Sequence, residues 1–344
     1  MIDMETDQVI TQIPVGSFPI RVAMTPDLSK AYISNAAAVT QPDDSKNKNN
    51  SRNQKSSSIS VLDTVALTNI ATIPVSRIPG ESAITPDGGR LFVVHEGAFN
   101  GGCPVDVIDT ATNTVITTVL LPGAQCKDIL FTLDGRFAYV ANNSFGEVDV
   151  IDTTTYQVTH IPTGGASRRL CISPSGDRVY VTNNSTSGTV SAIDTATQQI
   201  IATIPVGRRP IGIAITPNGQ EVYATNQQDG TVSAINTTTL TVVATIPTGN
   251  LPQRVVVTHD GTKVFLENGY SDTVSAISTA THTVIATLPV GHHPWTILAT
   301  PDDMKLYVCN ATDTTVTVID IPSLTVSDTI ANVGSAPFDL SFGP

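Results

Sequence analysis

The chain has 344 residues and a formal net charge of −12 at pH 7. This acidity disfavours general nucleic-acid binding, which needs clustered Lys and Arg to contact phosphates. No apolar run approaches the ~20 residues of a membrane-spanning helix, so we expect no membrane insertion. Aromatic residues make up only 5 % of the chain, whereas Val, Ile and Thr are abundant, and this composition favours strands over helices.

The N-terminal segment MIDMETDQ lacks the charged region and apolar core of a signal peptide. We therefore expect either a cytoplasmic protein or a secreted one whose signal has been removed, and the localisation stays open. A first strand-like run, VITQIPVG, covers residues 9–16. PIRVAMT (19–25) and KAYISN (30–35) follow it as two further strand-like runs.

Two insertions interrupt the strand-like pattern in the first third of the chain. Residues 36–58 are polar and rich in Asn, Ser and Lys, a composition typical of a disordered segment. A shorter insertion covers residues 95–103. Variable loops on a rigid scaffold often carry function, so we expect these two insertions to form a lid.

The rest of the chain repeats one unit, seen most clearly from Ile204 to Pro247. Its four strand-like runs are IGIAIT, EVYATN, TVSAIN and LTVVATIP. A turn of the Thr-Pro-x-Gly type follows the first run, and seven such turns occur at spacings of 60, 47, 41, 43, 42 and 42 residues. The turns begin at Thr25, Thr85, Thr132, Ser173, Thr216, Thr258 and Thr300.

A period near 42 residues with four strands per unit is the signature of β-propeller blades. We predict an all-β, seven-bladed β-propeller of four-stranded antiparallel blades, forming one domain over residues 8–344. The terminal run at 336–344 matches a first strand and 9–16 matches a fourth strand, so we expect the two termini to pair and close the ring. Seven blades need 28 strands, whereas we count 30 runs, and the pairing of the two extra runs is undetermined.

Three repeats carry the motif Tyr-Val/Ala-Ala/Thr-Asn between a turn of this type and a V-x-x-I-D/N-T segment. The segment Val179–Asn183 contains the YVTN signature unaltered. Over residues 8–344, apart from the insertion, the chain resembles the YVTN-repeat β-propeller family of surface-layer-like proteins. That resemblance implies the fold but not one function, since the family includes cell-surface and periplasmic proteins and related propellers include lyases and lactonases.

One column of the repeat, four residues before each turn, is rich in charge. Six of its eight positions are charged, although charges that converge on a propeller axis are costly unless they are paired. Gly212 occupies the column in the repeat from Ile204 to Pro247, and a glycine suits the crowded centre of a propeller. The column contains Arg21, Glu81, Asp128, Arg169, Gly212, Arg254, Thr296 and, in the last partial repeat, Asp339.

The net sign around this column is positive, which favours a small polar or anionic ligand held by arginine side chains. The alternative is that neighbours such as Arg21 and Glu81 are ion pairs that fill the central channel of the propeller and bind no ligand. The predicted ligand-binding residues are Arg21, Asp128, Arg169, Arg254, Lys127, Arg168, His293, Trp295, Glu96, Asn142 and Asn183.

Glu81 and His95 are our candidates for a general acid or base, because they are closest to the two insertions. The adjacent His292 and His293 point apart on an extended chain, and no standard metal or nucleotide motif occurs. We therefore predict no metal and no cofactor. A disulfide between Cys103 and Cys126 is left open.

Three functions remain as hypotheses at this point. In the first, the charged column, at the mouth of the central channel, binds a small polar or anionic molecule. In the second, the same site also performs acid–base chemistry of a lyase, isomerase or hydrolase. In the third, the propeller is an extracellular or periplasmic scaffold that binds a protein or glycan on its long-loop face. We predict binding of a small polar or anionic molecule, with acid–base catalysis left open, and keep the scaffold as the alternative.

Overall fold

The computed structural model describes residues 1–36, 57–75, 77–97, 101–334 and 337–342. These residues contain 28 strands arranged as seven four-stranded antiparallel sheets. Most of the predicted insertion at 36–58, and residues 98–100 of the second insertion, lie outside the described residues, so the predicted lid stays a prediction. Each sheet is built from four strands that are consecutive in the chain, which is the blade of a β-propeller.

The chain divides into two compact units, which are described in turn. The first comprises residues 13–124 and contains blades 1 and 2. Blade 1 consists of β1 (Pro19–Met24), β2 (Lys30–Asn35), β3 (Ser58–Asp63) and β4 (Thr68–Pro74). Blade 2 consists of β5 (Ile78–Ile84), β6 (Arg90–Glu96), β7 (Gly102–Asp109) and β8 (Thr114–Pro122).

The second unit comprises residues 1–12 and 125–342 and contains blades 3 to 7. Blade 3 consists of β9 (Cys126–Phe131), β10 (Phe137–Asn142), β11 (Glu147–Asp152) and β12 (Val158–Pro162). Blade 4 consists of β13 (Ala166–Ile172), β14 (Arg178–Asn184), β15 (Thr189–Asp194) and β16 (Gln199–Pro205). Blade 5 consists of β17 (Pro210–Ile215), β18 (Glu221–Asn226), β19 (Thr231–Asn236) and β20 (Thr241–Pro247).

The last two blades continue the same order. Blade 6 consists of β21 (Pro252–Val257), β22 (Lys263–Asn268), β23 (Thr273–Ser278) and β24 (Thr283–Pro289). Blade 7 consists of β25 (Pro294–Ala299), β26 (Lys305–Asn310), β27 (Thr315–Asp320) and β28 (Thr325–Ile330).

Within each unit, hydrophobic core clusters lie between the faces of successive blades. Tyr180 and Val190 of blade 4, for example, pack with Ile213 and Val222 of blade 5. The second and third strands are covered on both faces and are buried almost without interruption, whereas fourth strands such as β20 alternate between exposed and partly buried positions. This explains why the inner runs of each repeat are continuously apolar rather than alternating.

The Thr-Pro-x-Gly turns close as predicted. At Thr216 the backbone N–H of Gly219 donates to the Thr216 carbonyl at 2.8 Å, and Gly219 has φ of +71°. The Thr216 hydroxyl accepts the Glu221 backbone N–H at 3.0 Å. The two turns without glycine place Leu28 and Asp303 at φ of +59° and +56° instead, a conformation that costs non-glycine residues free energy.

The Asp-Thr connections between third and fourth strands are turns held by side-chain hydrogen bonds. The Asp109 carboxylate accepts the backbone N–H groups of Ala111 and Thr112 at 3.1 and 2.7 Å. The same Asx-turn geometry recurs at Asp152.

The two extra strand-like runs at the termini do not form strands in the described residues. Residues 9–16 contain only an isolated bridge between Val9 and Ile2, and 337–342 contain no strand. Leu340 and Phe342 instead pack with Ile2 and Val9 against blade 7. Within the described residues 28 of the 30 strand-like runs form strands, and ring closure by pairing of terminal strands is not shown.

Within the described residues we find no apolar helix of membrane-spanning length. Cys103 and Cys126 are both buried and neither is part of a disulfide.

Candidate functional site

The charged column lies at an irregularity in the first strand of the blades. In blades 4, 5 and 6 the pairing between the first and second strands shifts register within the first strand. The shifts lie between Ser167 and Leu170, between Pro210 and Ile213, and between Pro252 and Val255. Such a bulge leaves backbone groups outside the ladder. The column residue of each of these blades lies within it.

A side chain on the second strand satisfies the freed backbone N–H of the column residue. The N–H of Arg169 donates to the Thr182 hydroxyl at 3.1 Å, and that of Gly212 donates to the Thr225 hydroxyl at 2.8 Å. In blade 6 the corresponding N–H, of Arg254, donates to the Glu267 carboxylate at 2.9 Å. Glu267 thus occupies the position of the threonine in the Tyr-Val-Thr-Asn motif.

Glu267 is the most perturbed carboxyl group of this region. Its side chain is completely buried, and its Oε2 atom has no hydrogen-bond partner among the described residues. Burial raises the pKa of Glu267 to about 8, against the lowering effect of the positive charges of Arg254 and Arg169. The carboxyl group is therefore mostly protonated at neutral pH.

The charged column residues form neighbouring ion pairs. In the second unit, Arg169 contacts Asp128 at 3.3 Å and Arg254 contacts Asp339 at 3.7 Å. The two arginine side chains retain 21 % and 26 % of their accessible surface, so both guanidinium groups reach solvent. We call Asp128, Arg169, Arg254, Glu267 and Asp339 the arginine–carboxyl cluster.

The first unit contains its own pair, in which Arg21 Nε lies 2.7 Å from the Glu81 carboxylate. His95, the other predicted acid–base residue, is completely buried. Its Nε2 lies 2.8 Å from Asp106 and its Nδ1 lies 3.3 Å from the Arg77 carbonyl. Both predicted acid–base groups therefore have close polar partners, and their role in catalysis stays a prediction.

The remaining predicted ligand-binding residues fall into three groups. Asn142 and Asn183 are buried, and their side-chain amides donate to the adjacent third strand, Asn142 to Asp149 at 2.9 Å. His293 and Trp295 form an edge-to-face pair, and Trp295 forms a second one with Phe338. Lys127 and Arg168 are partly buried, whereas Glu96 is exposed.

The structure also brings together three residues that the sequence analysis did not single out. Glu147, Asp149 and His160 of blade 3 place one potential ligand atom each within 4.8 Å of one another. Burial raises the pKa of both carboxyl groups, and Asp149 contributes to the effect on Glu147. We call these three residues the Glu–Asp–His cluster. Comparing the blades position by position would have revealed it, since no other repeat has this combination at the same sequence positions.

A polar groove opens on the loops of blades 5 and 6. It has a volume of about 430 Å³, and Tyr270 at its edge keeps 74 % of its surface exposed. Its wall includes Arg209, Gln227, Gln228, Asp229, Asn250 and Leu251. No member of the arginine–carboxyl cluster lines it.

Two protein families match different parts of the chain. Residues 142–266 match the cytochrome D1 heme domain, and residues 261–344 match the YNCE-like beta-propeller. Each match covers less than half of the chain. Neither of them is to a family named for the YVTN repeat, so the relationship to YVTN-repeat propellers stays a resemblance.

A similar curated protein is the seven-bladed beta-propeller protein Rv1057 of Mycobacterium tuberculosis (strain ATCC 25618 / H37Rv). It is 26 % identical over 245 residues, which cover 60 % of this chain and 57 % of that protein. The match therefore spans less than two thirds of the relative.

Several solved structures share the fold at low sequence identity. Hydrazine synthase of Kuenenia stuttgartiensis aligns with a TM-score of 0.67 at 21 % identity, over 90 % of this chain and 97 % of that one. The Dos1 propeller aligns with a TM-score of 0.76 at 13 % identity, over 94 % and 87 %. The dihydro-heme d1 dehydrogenase NirN, in complex with DHE, aligns with a TM-score of 0.54 at 14 % identity, over 79 % and 70 %. The chain is thus a seven-bladed β-propeller with similarity to cytochrome D1 heme-domain and YNCE-like propellers.

Proposed function

We propose that this β-propeller binds a small anionic molecule, such as a carboxylate, at the arginine–carboxyl cluster. The observation that carries the proposal is the position of Glu267, a buried carboxyl group that is mostly protonated at neutral pH beside the partly exposed guanidinium of Arg254. Fully buried carboxyl groups with perturbed pKa values are concentrated at functional sites.

The arginine N–H donors of the cluster, rather than its net charge, support an anionic ligand. With Glu267 protonated, the two arginines and the two aspartates balance. A guanidinium group has five N–H donors, and at 3.7 Å the Arg254–Asp339 contact is longer than a charge-assisted hydrogen bond. An incoming carboxylate can form bidentate hydrogen bonds with the partly exposed guanidinium of Arg254.

Ionisation of Glu267 provides a specific expectation about pH. Above a pH of about 8 the Glu267 carboxyl group becomes negative. This adds a charge near Arg254 and Arg169 that repels an anionic ligand. Anion affinity is expected to decrease as the pH rises through this value. The same pKa lies in the range that suits a general acid or base at physiological pH, so Glu267 replaces Glu81 and His95 as our proposed proton-transfer residue if the site performs catalysis.

Calorimetric titration of the full chain with a panel of small carboxylates and inorganic phosphate tests the proposal. We expect at least one carboxylate to bind at pH 6.5, at least tenfold weaker binding at pH 9.5, and loss of binding in Arg254→Met. In Glu267→Gln, which cannot ionise, the affinity should not change with pH.

Arg136→Met is the matched control, because Arg136 is an exposed arginine that lies over the Phe137 ring on another part of blade 3. It should leave the affinity unchanged. Binding that survives in Arg254→Met, or that shows the same pH dependence in Glu267→Gln, would refute a site at this cluster.

The haem named in the matched family and in the NirN complex does not fit the residues present. The arginine–carboxyl cluster contains no histidine, cysteine, methionine or tyrosine that could be an axial ligand of haem iron. The groove of blades 5 and 6 is lined mainly by polar residues, whereas cofactor pockets are mostly apolar. The proposed function therefore involves no haem.

The second candidate is a scaffold that binds a glycan or protein without catalysis. The observation that favours it is the groove beside Tyr270, where an exposed aromatic ring lies among amide side chains. Aromatic residues with a polar edge are common in binding surfaces. The titration above separates the two functions, because a scaffold of this kind does not require carboxylate binding that depends on Arg254.

A further inference from the structure

Five blades share one hydrogen-bonded set of side chains at the same positions. The amide of the asparagine that ends the second strand donates to two hydroxyl groups on the third strand, as Asn183 does to Thr189 and Ser191 at 3.0 and 2.9 Å. A threonine of the fourth strand, here Thr203, lies directly opposite the second hydroxyl residue. The corresponding asparagines are Asn35, Asn226, Asn268 and Asn310.

Blade 3 keeps the asparagine but replaces all three hydroxyl residues. Glu147 and Asp149 occupy the third-strand positions, and His160 lies opposite Asp149. The Asn142 amide donates to Asp149 at 2.9 Å. A set of neutral hydroxyl groups satisfies these positions in five blades, so the packing of a blade does not require two carboxylates and an imidazole there.

The three side chains converge on one point. His160 Nδ1 lies 2.6 Å from Asp149 Oδ1 and 3.6 Å from Glu147 Oε1. Asp149 is completely buried, whereas the His160 side chain keeps 47 % of its surface exposed. One ligand is thus held rigidly by the sheet and by Asn142, while the imidazole remains accessible and can rotate.

We propose that Glu147, Asp149 and His160 form a binding site for a divalent transition metal on blade 3, with Zn²⁺ as the best-fitting ion. One imidazole nitrogen and two carboxylates are ligands that Zn²⁺ accepts, and sites with three protein ligands leave a fourth position for water or a substrate. Mg²⁺ and Ca²⁺ prefer ligand sets made only of oxygen. Ion binding replaces the 2.6 Å hydrogen bond between His160 and Asp149 by two metal–ligand bonds, and the proton of that hydrogen bond leaves to solvent. A modest rotation of the exposed imidazole allows this exchange.

Calorimetric titration of the chelator-treated full chain with ZnCl₂ is the direct test. We expect one Zn²⁺ per chain at this cluster and at least 100-fold weaker binding in the triple variant Glu147→Thr, Asp149→Ser, His160→Thr. This variant restores the hydroxyl set of blade 4 and is therefore designed to keep the fold. If it does not fold, His160→Gln carries the test, and a loss of at least tenfold is expected.

His259→Gln is the matched control, because His259 also pairs with an aspartate, Asp303, at 3.1 Å but belongs to no group of three metal-ligating side chains among the described residues. It should leave the Zn²⁺ affinity unchanged. The proposal is overturned if the wild type binds no Zn²⁺, if the triple variant binds it equally well, or if only Mg²⁺ binds. This outcome is independent of carboxylate binding at the arginine–carboxyl cluster, which shares no residue with this site.

Discussion

Single side chains decide the chemistry of this protein, and Glu267 shows how. In the neighbouring blades the equivalent residues Thr182 and Thr225 satisfy the N–H group of the bulge with a neutral hydroxyl. Glu267 makes the same hydrogen bond but also buries a second oxygen that has no partner among the described residues. A buried polar atom of this kind costs free energy unless a ligand or proton compensates for it.

The pH dependence of stability tests this account of Glu267. Its pKa is about 8 in the folded chain, against an ordinary value of 4.5, so its contribution to stability is complete below the ordinary value and is lost as the pH rises through 8. Between pH 5 and 8 we expect the free energy of unfolding to fall by about 1.4 kcal/mol per pH unit from this group. Urea unfolding at several pH values measures the slope.

In Glu267→Gln this decrease should disappear, because the amide does not titrate. Glu5→Gln serves as the control, since Glu5 is an exposed residue near the N-terminus, and its slope should equal that of the wild type. Equal slopes in all three proteins would contradict the assignment.

At the scale of the strand, the bulge sets the position of the charged column. The bulge brings the first strand of blade 5 so close to the next blade that a Cβ at Gly212 would lie 2.1 Å from the Gln253 carbonyl oxygen. Glycine is expected at a crowded position in this repeat, and the crowding is confirmed. Arginine, aspartate or glutamate occupies the same column position in other blades.

Gly212→Ala is therefore expected to destabilise the protein by about 3 kcal/mol, because the methyl group collides with a backbone atom that cannot move alone. Urea unfolding provides the measurement. In the control Gly89→Ala the nearest heavy atom to the new methyl group is an Asp87 carboxylate oxygen at 3.4 Å, and a change within about 0.5 kcal/mol is expected. A tolerated Gly212→Ala would show that the two strands lie farther apart than this close approach implies.

At the scale of the whole molecule, turn carboxylates and Glu267 act in opposite directions with pH. Hydrogen bonds from nearby hydroxyl and backbone N–H groups lower the pKa of turn residues such as Asp87, Asp134 and Asp152. A lowered folded-state pKa stabilises the fold above the unfolded value and loses that contribution as the pH falls through the folded one. Burial of Glu267 has the reverse effect at higher pH.

We therefore expect the midpoint of thermal unfolding to peak on the acid side of neutrality and to decline both below pH ~4 and towards pH 8. A scan of thermal unfolding from pH 3 to pH 9 measures this profile. In Glu267→Gln the decline towards pH 8 should be smaller while the decline in acid is retained. A wild-type midpoint that rises steadily from pH 5 to 8 would be incompatible with the burial of Glu267.

The fold could be predicted from the sequence because its information is local and repeated. Turn residues such as Thr216 and Asp109 act within a few positions along the chain, and seven copies of the pattern reveal the blades even where one copy is degenerate. The terminal runs at 9–16 and 337–342 were the exception. Their composition suits strands, but whether a strand forms depends on a partner edge, which lies far away in sequence.

The site was predictable only in part, for a related reason. The charged column was visible as a periodic feature, and its ion pairs were foreseen as an alternative to a ligand site. The burial of Glu267, the enclosure of His95 and the convergence of Glu147, Asp149 and His160 depend on distances between strands. The sequence determines which side chains are available at each repeat position. Only the tertiary structure decides which of them are buried and which contact one another, and burial and contact set their charge and chemistry.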